Sequence, residues 1–169
     1  MASFILTAIG DDRPGLVSAL SAPISAHGAS WERSQMSRLG GKFAGIVLVT
    51  VAEEEYDALT TELVATDGLA VTVERTDAPA APTSQRLRLR LLGDDRPGIV
   101  AEVSAALAEG GVSISQLVTD VRDAPMAGGT LFEASAELSA PATTSTEALR
   151  SVLEALADEL MVDIDLSTD

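Results

Sequence analysis

Residues 6–20 read LTAIGDDRPGLVSAL, and residues 89–103 read LRLLGDDRPGIVAEV. The hexamer GDDRPG is identical in the two stretches, at 10–15 and at 93–98. Each time it stands between an apolar run of strand character and an apolar run of helical character. A shift of 83 residues, which carries Leu6 onto Leu89, superposes the hexamers, and the match continues beyond them. Leu16, Val17, Leu20 and Ile24 fall on Ile99, Val100, Val103 and Leu107. That spacing belongs to one face of a helix, expected to be buried. Gly28 falls on Gly111, just past the helix end, where a glycine takes the left-handed conformation that stops a helix. Self-similarity at a fixed offset marks two copies of one structural unit.

Each copy continues with an extended segment, a Gly-Gly turn (Gly40 and Gly41, Gly128 and Gly129), a second strand, a helix and a last strand. The first copy predicts strands near 2–10, 29–38, 42–52 and 69–75 and helices near 14–27 and 53–66. The second predicts strands near 86–92, 112–122, 129–138 and 160–167 and helices near 97–109 and 145–158. Its central hairpin, RDAPMAGG, is longer than the first by about five residues. The order βαββαβ, twice, is the ferredoxin-like arrangement of an α+β protein, an antiparallel four-stranded sheet with two helices on one face. The predicted domains are 1–76 and 86–169. Between them, in TDAPAAPTS at 76–84, two prolines and small residues mark a short linker, placed at 77–85.

Two helices on one sheet face leave the other face open. RLRLRLL alternates with period two, so Leu87, Leu89 and Leu91 are expected under the helices and Arg86, Arg88 and Arg90 on the open face. In this topology the first strand lies between the third and the fourth. Glu133, Glu137, Asp163 and Asp165 are then expected to flank the arginines as a cross-strand charge ladder. The first copy has no such ladder. Its open face is expected to carry Ile5, Val47 and Val49 beside Ser3, Thr7 and Thr72, a surface apolar enough to seek another sheet or subunit.

Composition narrows the function. The chain has 169 residues, 46% of them hydrophobic, which suffices for packed cores. It has no cysteine, which removes thiolate chemistry and disulfides and fits a reducing, cytoplasmic setting. The start, MASFILTAIGDD, lacks the basic segment and long apolar run of a signal peptide. A formal net charge of −15 is repelled by phosphate backbones and speaks against direct contact with nucleic acid. His27 is the single histidine and follows a helix, so no zinc site or catalytic base is expected. The run Glu53, Glu54, Glu55 reads as a solvated helix start. Trp31, the single tryptophan, reads as a core or interface residue.

The repeated turn is the chemical feature. Pro14 and Pro97 suit a first helical turn, because proline presets φ and brings no N–H to be left unpaired. Asp12 and Asp95 are placed to accept hydrogen bonds from the free amides of that turn. Gly15 and Gly98 leave the backbone bare, and Arg13 and Arg96 set a cation beside it. Free N–H groups at a helix start attract carboxylates. A small amino acid fits such a site, with its carboxylate on the amides and its ammonium on an aspartate. A plain strand-to-helix turn would use the same residues.

The hexamer, the βαββαβ order and the tandem arrangement resemble the ACT domain, a regulatory module that binds amino acids. The resemblance spans nearly the whole chain. LTAIGDDRPGLV followed by GASWERSQMSRLGGKFAGIVLV is similar, more narrowly, to the glycine cleavage system transcriptional repressor family. That resemblance implies a cytoplasmic, non-enzymatic sensor of glycine or another small amino acid, without a cofactor. It would control a partner transcription regulator by protein contact. The apolar open face of the first copy, with two-fold symmetry as the default, adds the expectation of a homodimer. A constitutive scaffold with empty pockets is the other reading. By the resemblance, the first-loop binding positions are Asp12, Arg13, Pro14, Gly15 and Leu16, and Asp95, Arg96, Pro97, Gly98 and Ile99. The second-strand positions are Trp31, Glu32 and Ser34, and Ile114, Ser115 and Gln116, where a neighbouring domain's ligand would rest.

Overall fold

The computed structural model describes residues 1–77, 84–126 and 128–168. The first unit runs β1 (Ala2–Asp11), α1 (Leu16–Ala26), β2 (Ser30–Leu39), β3 (Lys42–Val51), a 3-10 turn (Glu53–Glu55), α2 (Tyr56–Val64) and β4 (Ala70–Arg75). The second runs β5 (Ser84–Asp94), α3 (Ile99–Glu109), β6 (Ser113–Asp123), β7 (Thr130–Pro141), α4 (Thr146–Leu160) and β8 (Val162–Thr168). The chain divides into compact units at 1–80 and 81–169. β5 begins at Ser84, two residues ahead of the expected 86, because Ser84 and Gln85 already pair with Pro141 and Ala140. Most of the expected linker, 78–83, lies outside the described residues.

Both sheets are antiparallel, in the orders β2-β3-β1-β4 and β6-β7-β5-β8. The first strand of each unit therefore sits between the third and fourth, as the βαββαβ order requires. In the first unit Phe4, Leu6 and Ala8 of β1 join Val47, Val49 and Val51 of β3 under Leu16, Leu20 and Ile24 of α1 and Leu59 and Leu63 of α2. In the second, Leu87, Leu89 and Leu91 meet Ala134, Ala136 and Leu138 under Ile99, Val103, Leu107, Leu149 and Leu153. Each fully buried leucine or phenylalanine contributes roughly 1.5–3 kcal/mol relative to its exposed state. Val17 and Val100, expected on the buried helix faces, are 47% and 43% exposed. They follow Leu16 and Ile99 by one residue and so swing about 100° away from the sheet.

The open face of the first unit corrects one expectation. Val47 and Val49 pair with Leu6 and Phe4 and lie under the helices. The open face takes the residues between them. Across β2, β3, β1 and β4 its rows are Arg33, Leu48, Ile5, Glu74; then Gln35, Ile46, Thr7, Thr72; then Ser37, Ala44, Ile9, Ala70. Ser30, Thr50 and Ser3 precede these rows, and Leu39, Lys42 and Asp11 follow them. Ser3, Thr7 and Thr72 stand where expected, and the surface remains apolar along its centre. Ile9 is 52% and Ile46 47% exposed.

The second unit's open face carries the arginines, with two of the four acids one rung displaced. Arg88 lies opposite Glu137, and Arg90 lies opposite Asp165 on one side and Ser135 on the other. Glu133 and Asp163 both stand opposite Leu92, and Arg86 faces Ser139. Glu133 instead pairs at 3.4 Å with Arg122 of the edge strand β6. The ladder therefore has two rungs on β5 and a third on the outer strand pair.

Candidate ligand loops

Residues 12–15 and 95–98 connect β1 to α1 and β5 to α3. Pro14 and Pro97 do not enter the helices. They precede Gly15 and Gly98, which are the N-caps and adopt φ +91° and +96° with ψ near zero. Those are the angles a type II turn asks of its third residue, with proline preferred at the second. Arg-Pro-Gly-Leu is such a turn, and the helix starts directly from it. No side chain caps either helix, so Asp12 and Asp95 do not accept the first-turn amides that the sequence assigned to them.

The first loop is tied down on both sides. The Asp12 N–H donates to Gly41 O at 2.9 Å, and Arg38 Nη1 donates to the Asp12 carboxylate at 3.3 Å, both from the β2–β3 hairpin. Arg13 Nη2 donates to Asp67 O at 2.8 Å, in the turn before β4. Its guanidinium lies across Gly68, where an added Cβ would sit 2.5 Å from Arg13 Nη2. Arg13 therefore braces two loops and does not hang over the amides. The first turn of α1 contains no acidic residue.

The second loop repeats the backbone. The Asp95 N–H donates to Thr130 O at 2.9 Å, matching Asp12 and Gly41. The side chains differ. Arg96 Nη2 reaches both oxygens of Glu102 at 3.5 Å, and Glu102 is the acidic residue in the first turn of α3. An added Cβ at Gly98 would meet Glu102 Oε1 at 3.4 Å, whereas one at Gly15 would meet nothing within 4 Å. The residue of the first copy that aligns with Glu102 is Ala19. One loop is bare at its glycine, and the other carries an internal carboxylate beside it.

The second-strand positions lie at the far end of each sheet from their own loop. Trp31 pairs with Val49 and packs half-buried against the first core, while Asp11, where the first loop begins, pairs with Lys42. Ile114 sits equivalently, opposite Leu138, against the second core. Both strands shift register at the next residue, Glu32 and Ser115, so the bulge is repeated as faithfully as the hexamer. Glu32 accepts from Thr50 Oγ1 at 2.7 Å. Ser34 faces the helix side opposite Val47, and Gln116 the open side opposite Glu137. Within one unit these residues do not meet the first loop.

The chain belongs to the ACT domain family. The family model matches residues 2–74 and 85–167, one match per unit. The chain is 24% identical over 164 residues to the glycine cleavage system transcriptional repressor of Escherichia coli (strain K12), covering 92% of this chain and 84% of that one. The same identity and coverage hold for the repressor of Shigella flexneri. Among solved structures, an unknown protein from Galdieria sulphuraria is 32% identical with a TM-score of 0.89, covering 99% of this chain and 98% of that one. A provisionally named glycine cleavage system transcriptional repressor shares the fold at 17% identity and TM-score 0.73, covering 99% and 97%. The named sequence relatives of this ACT protein are regulators. None of its described helices is long and apolar enough to cross a membrane.

Away from the loops, the ACT fold hides a cluster that the sequence did not announce. His27, at the C-terminus of α1, places Nδ1 2.7 Å from Glu55 and Nε2 3.0 Å from Glu62. The two carboxylates raise the His27 pKa above its ordinary 6.5. Glu53 pairs with Arg75, whose guanidinium also lies 4.3 Å over the Tyr56 ring. Two members of the expected solvated acidic run are thus ion-pair partners that tie α1 and β4 to α2. In the second unit an apolar cavity of about 30 Å³ lies under α3, lined by Leu91, Val103 and Phe132 among others, too small for an amino acid.

Proposed function

We propose that this ACT protein is a cytoplasmic, non-enzymatic regulator that senses glycine or another small amino acid through its first loop and controls a partner transcription regulator by protein contact. The supporting observation is the bare helix start at Gly15. Its amides have no capping side chain, its first turn has no acid, and the loop is braced by Arg13 and Arg38. Such a start favours an incoming carboxylate through aligned N–H groups and the helix dipole. Asp12, beside it, is the acceptor for the ligand's ammonium. The names of the sequence relatives agree with a regulatory role tied to glycine.

A second reading holds for the second loop. The Glu102 carboxylate stands by Gly98 and engages Arg96, so that copy keeps the turn as scaffold and takes no ligand. Calorimetric titration with glycine, serine and a panel of other amino acids tests both readings. The expected stoichiometry is one ligand per chain. Ala19→Glu, which copies the second loop into the first, should abolish binding while leaving the far-UV circular dichroism unchanged. Flat titrations across the panel would refute sensing and leave a constitutive interaction protein.

A further inference from the structure

We infer that the open sheet face of the first unit is a self-association surface, on which a second copy of this chain packs face to face about a two-fold axis parallel to the strands. A two-fold axis in that direction exchanges the edges of the sheet. It lays β2 over the partner's β4 and β3 over the partner's β1, and it leaves every residue at its own height along the strands. Each row of the face then meets itself reversed.

The rows suit that operation. The row Arg33, Leu48, Ile5, Glu74 has a cation at one edge and a carboxylate at the other. Reversed upon itself, it sets Arg33 against Glu74 twice and Leu48 against Ile5 twice. At the far end Lys42 on β3 is ion-paired with Asp11 on β1, and reversal again brings each to the opposite charge. In the rows between, Ile46 meets Thr7 and Ile9 meets Ala44, a large side chain against a smaller one, as interdigitating sheet faces require. Glu32, held by Thr50 in the bulge, falls at the rim. A two-fold axis across the strands would instead lay β2 on β2 and β4 on β4, so that Arg33 and Glu74 would face neutral residues. Charge complementarity of this kind sets orientation and rejects alternatives more than it supplies affinity. The affinity comes from the apolar centre, where Ile9 and Ile46 are half exposed in the single chain.

The second unit's open face lacks this property. Its centre is charged, with Arg88 opposite Glu137 and Arg90 opposite Asp165 across neighbouring strands. Four strands at about 4.8 Å and five rows at about 6.8 Å span roughly 500 Å². Two such faces remove on the order of 1,000 Å², the lower bound for a specific interface, so the dimer is weak and concentration-dependent.

Analytical ultracentrifugation of the full chain across a micromolar concentration series tests the inference without any amino acid present, so it stands or falls apart from ligand sensing. The wild type is expected to show a monomer–dimer equilibrium. Ile46→Asp, outside both cores, should be monomeric throughout with unchanged circular dichroism. Arg33→Glu should weaken the dimer by about tenfold, and Arg33→Glu with Glu74→Arg should restore it. A monomeric wild type would overturn the proposal and leave the face to a different protein. A dimer that survives Ile46→Asp would place the interface elsewhere. Should Ile46→Asp fail to fold, the charge pair decides: a swap that does not restore association refutes the orientation.

Discussion

At the scale of single residues, the repeated Pro-Gly pair does its work through backbone angles. Gly15 and Gly98 occupy a left-handed region that costs any residue with a Cβ about 1–2 kcal/mol. Around Gly15 there is room for the extra methyl, so the cost of Gly15→Ala is conformational alone. Urea denaturation should show that variant destabilised by about 1–2 kcal/mol. A neutral result would mean that the turn relaxes to another type. His27 supplies a pH-dependent bond at the same scale. Its pKa is raised in the folded state by Glu55 first and Glu62 second. A raised folded pKa means that its contribution is fully present below the unfolded value of 6.5 and is lost as pH rises through the folded value. NMR titration should therefore find His27 titrating above 6.5. Thermal melts of wild type should lose stability relative to His27→Gln across that upward window. A His27 that titrates at or below the ordinary value would refute the clamp.

At the scale of elements, period-two alternation was readable wherever the sequence alternates. RLRLRL, at 86–91, sends Leu87, Leu89 and Leu91 in and the three arginines out without ambiguity, and the structure agrees at each of these positions. FAGIVLV in β3 is apolar at nearly every residue, so nothing local says which half faces the helices. The pairing of Val47 with Leu6 and Val49 with Phe4 decides it, and that pairing depends on the length of the Gly-Gly hairpin. The same limit applies to the charge ladder. The carboxylates lie on the correct face, but register moved two of them one rung away from the arginines. Arg88→Glu should set like charges opposite each other at Glu137 and destabilise the second unit by about 0.5–1 kcal/mol, with Glu137→Arg in the same chain recovering the loss. Guanidinium denaturation of the three variants measures this. An unchanged midpoint in Arg88→Glu would show that this rung is screened by solvent.

At the scale of the whole molecule, two buried clusters share no residue, one built on Phe4, Leu6 and Leu20 and the other on Leu89, Leu107 and Leu153. Leu20→Ala and Leu89→Ala each leave a cavity in one core, costing about 2–5 kcal/mol. Calorimetry should show each substitution shifting the unfolding of its own unit, with the double variant additive. A single transition that both substitutions move equally would mean that the units unfold together. The net charge of −15 adds a further consequence at this scale. A chain this acidic is repelled by the phosphate backbones of nucleic acids.

The sequence alone determined the tandem architecture. An identical hexamer at one offset, with helical spacing after it and alternating strands before it, leaves little freedom in the βαββαβ order, because both signals are local and periodic. It also located the two loops, since Pro-Gly can form only a few turns. The tertiary structure decided what those loops present. Asp12 faces the Arg38 guanidinium, Arg13 bridges to Asp67, and Glu102 comes back to Arg96 in one copy where Ala19 leaves the other bare. These contacts join residues between 6 and 54 positions apart. Which side chain meets which is set by strand register and loop length, quantities that no local pattern carries.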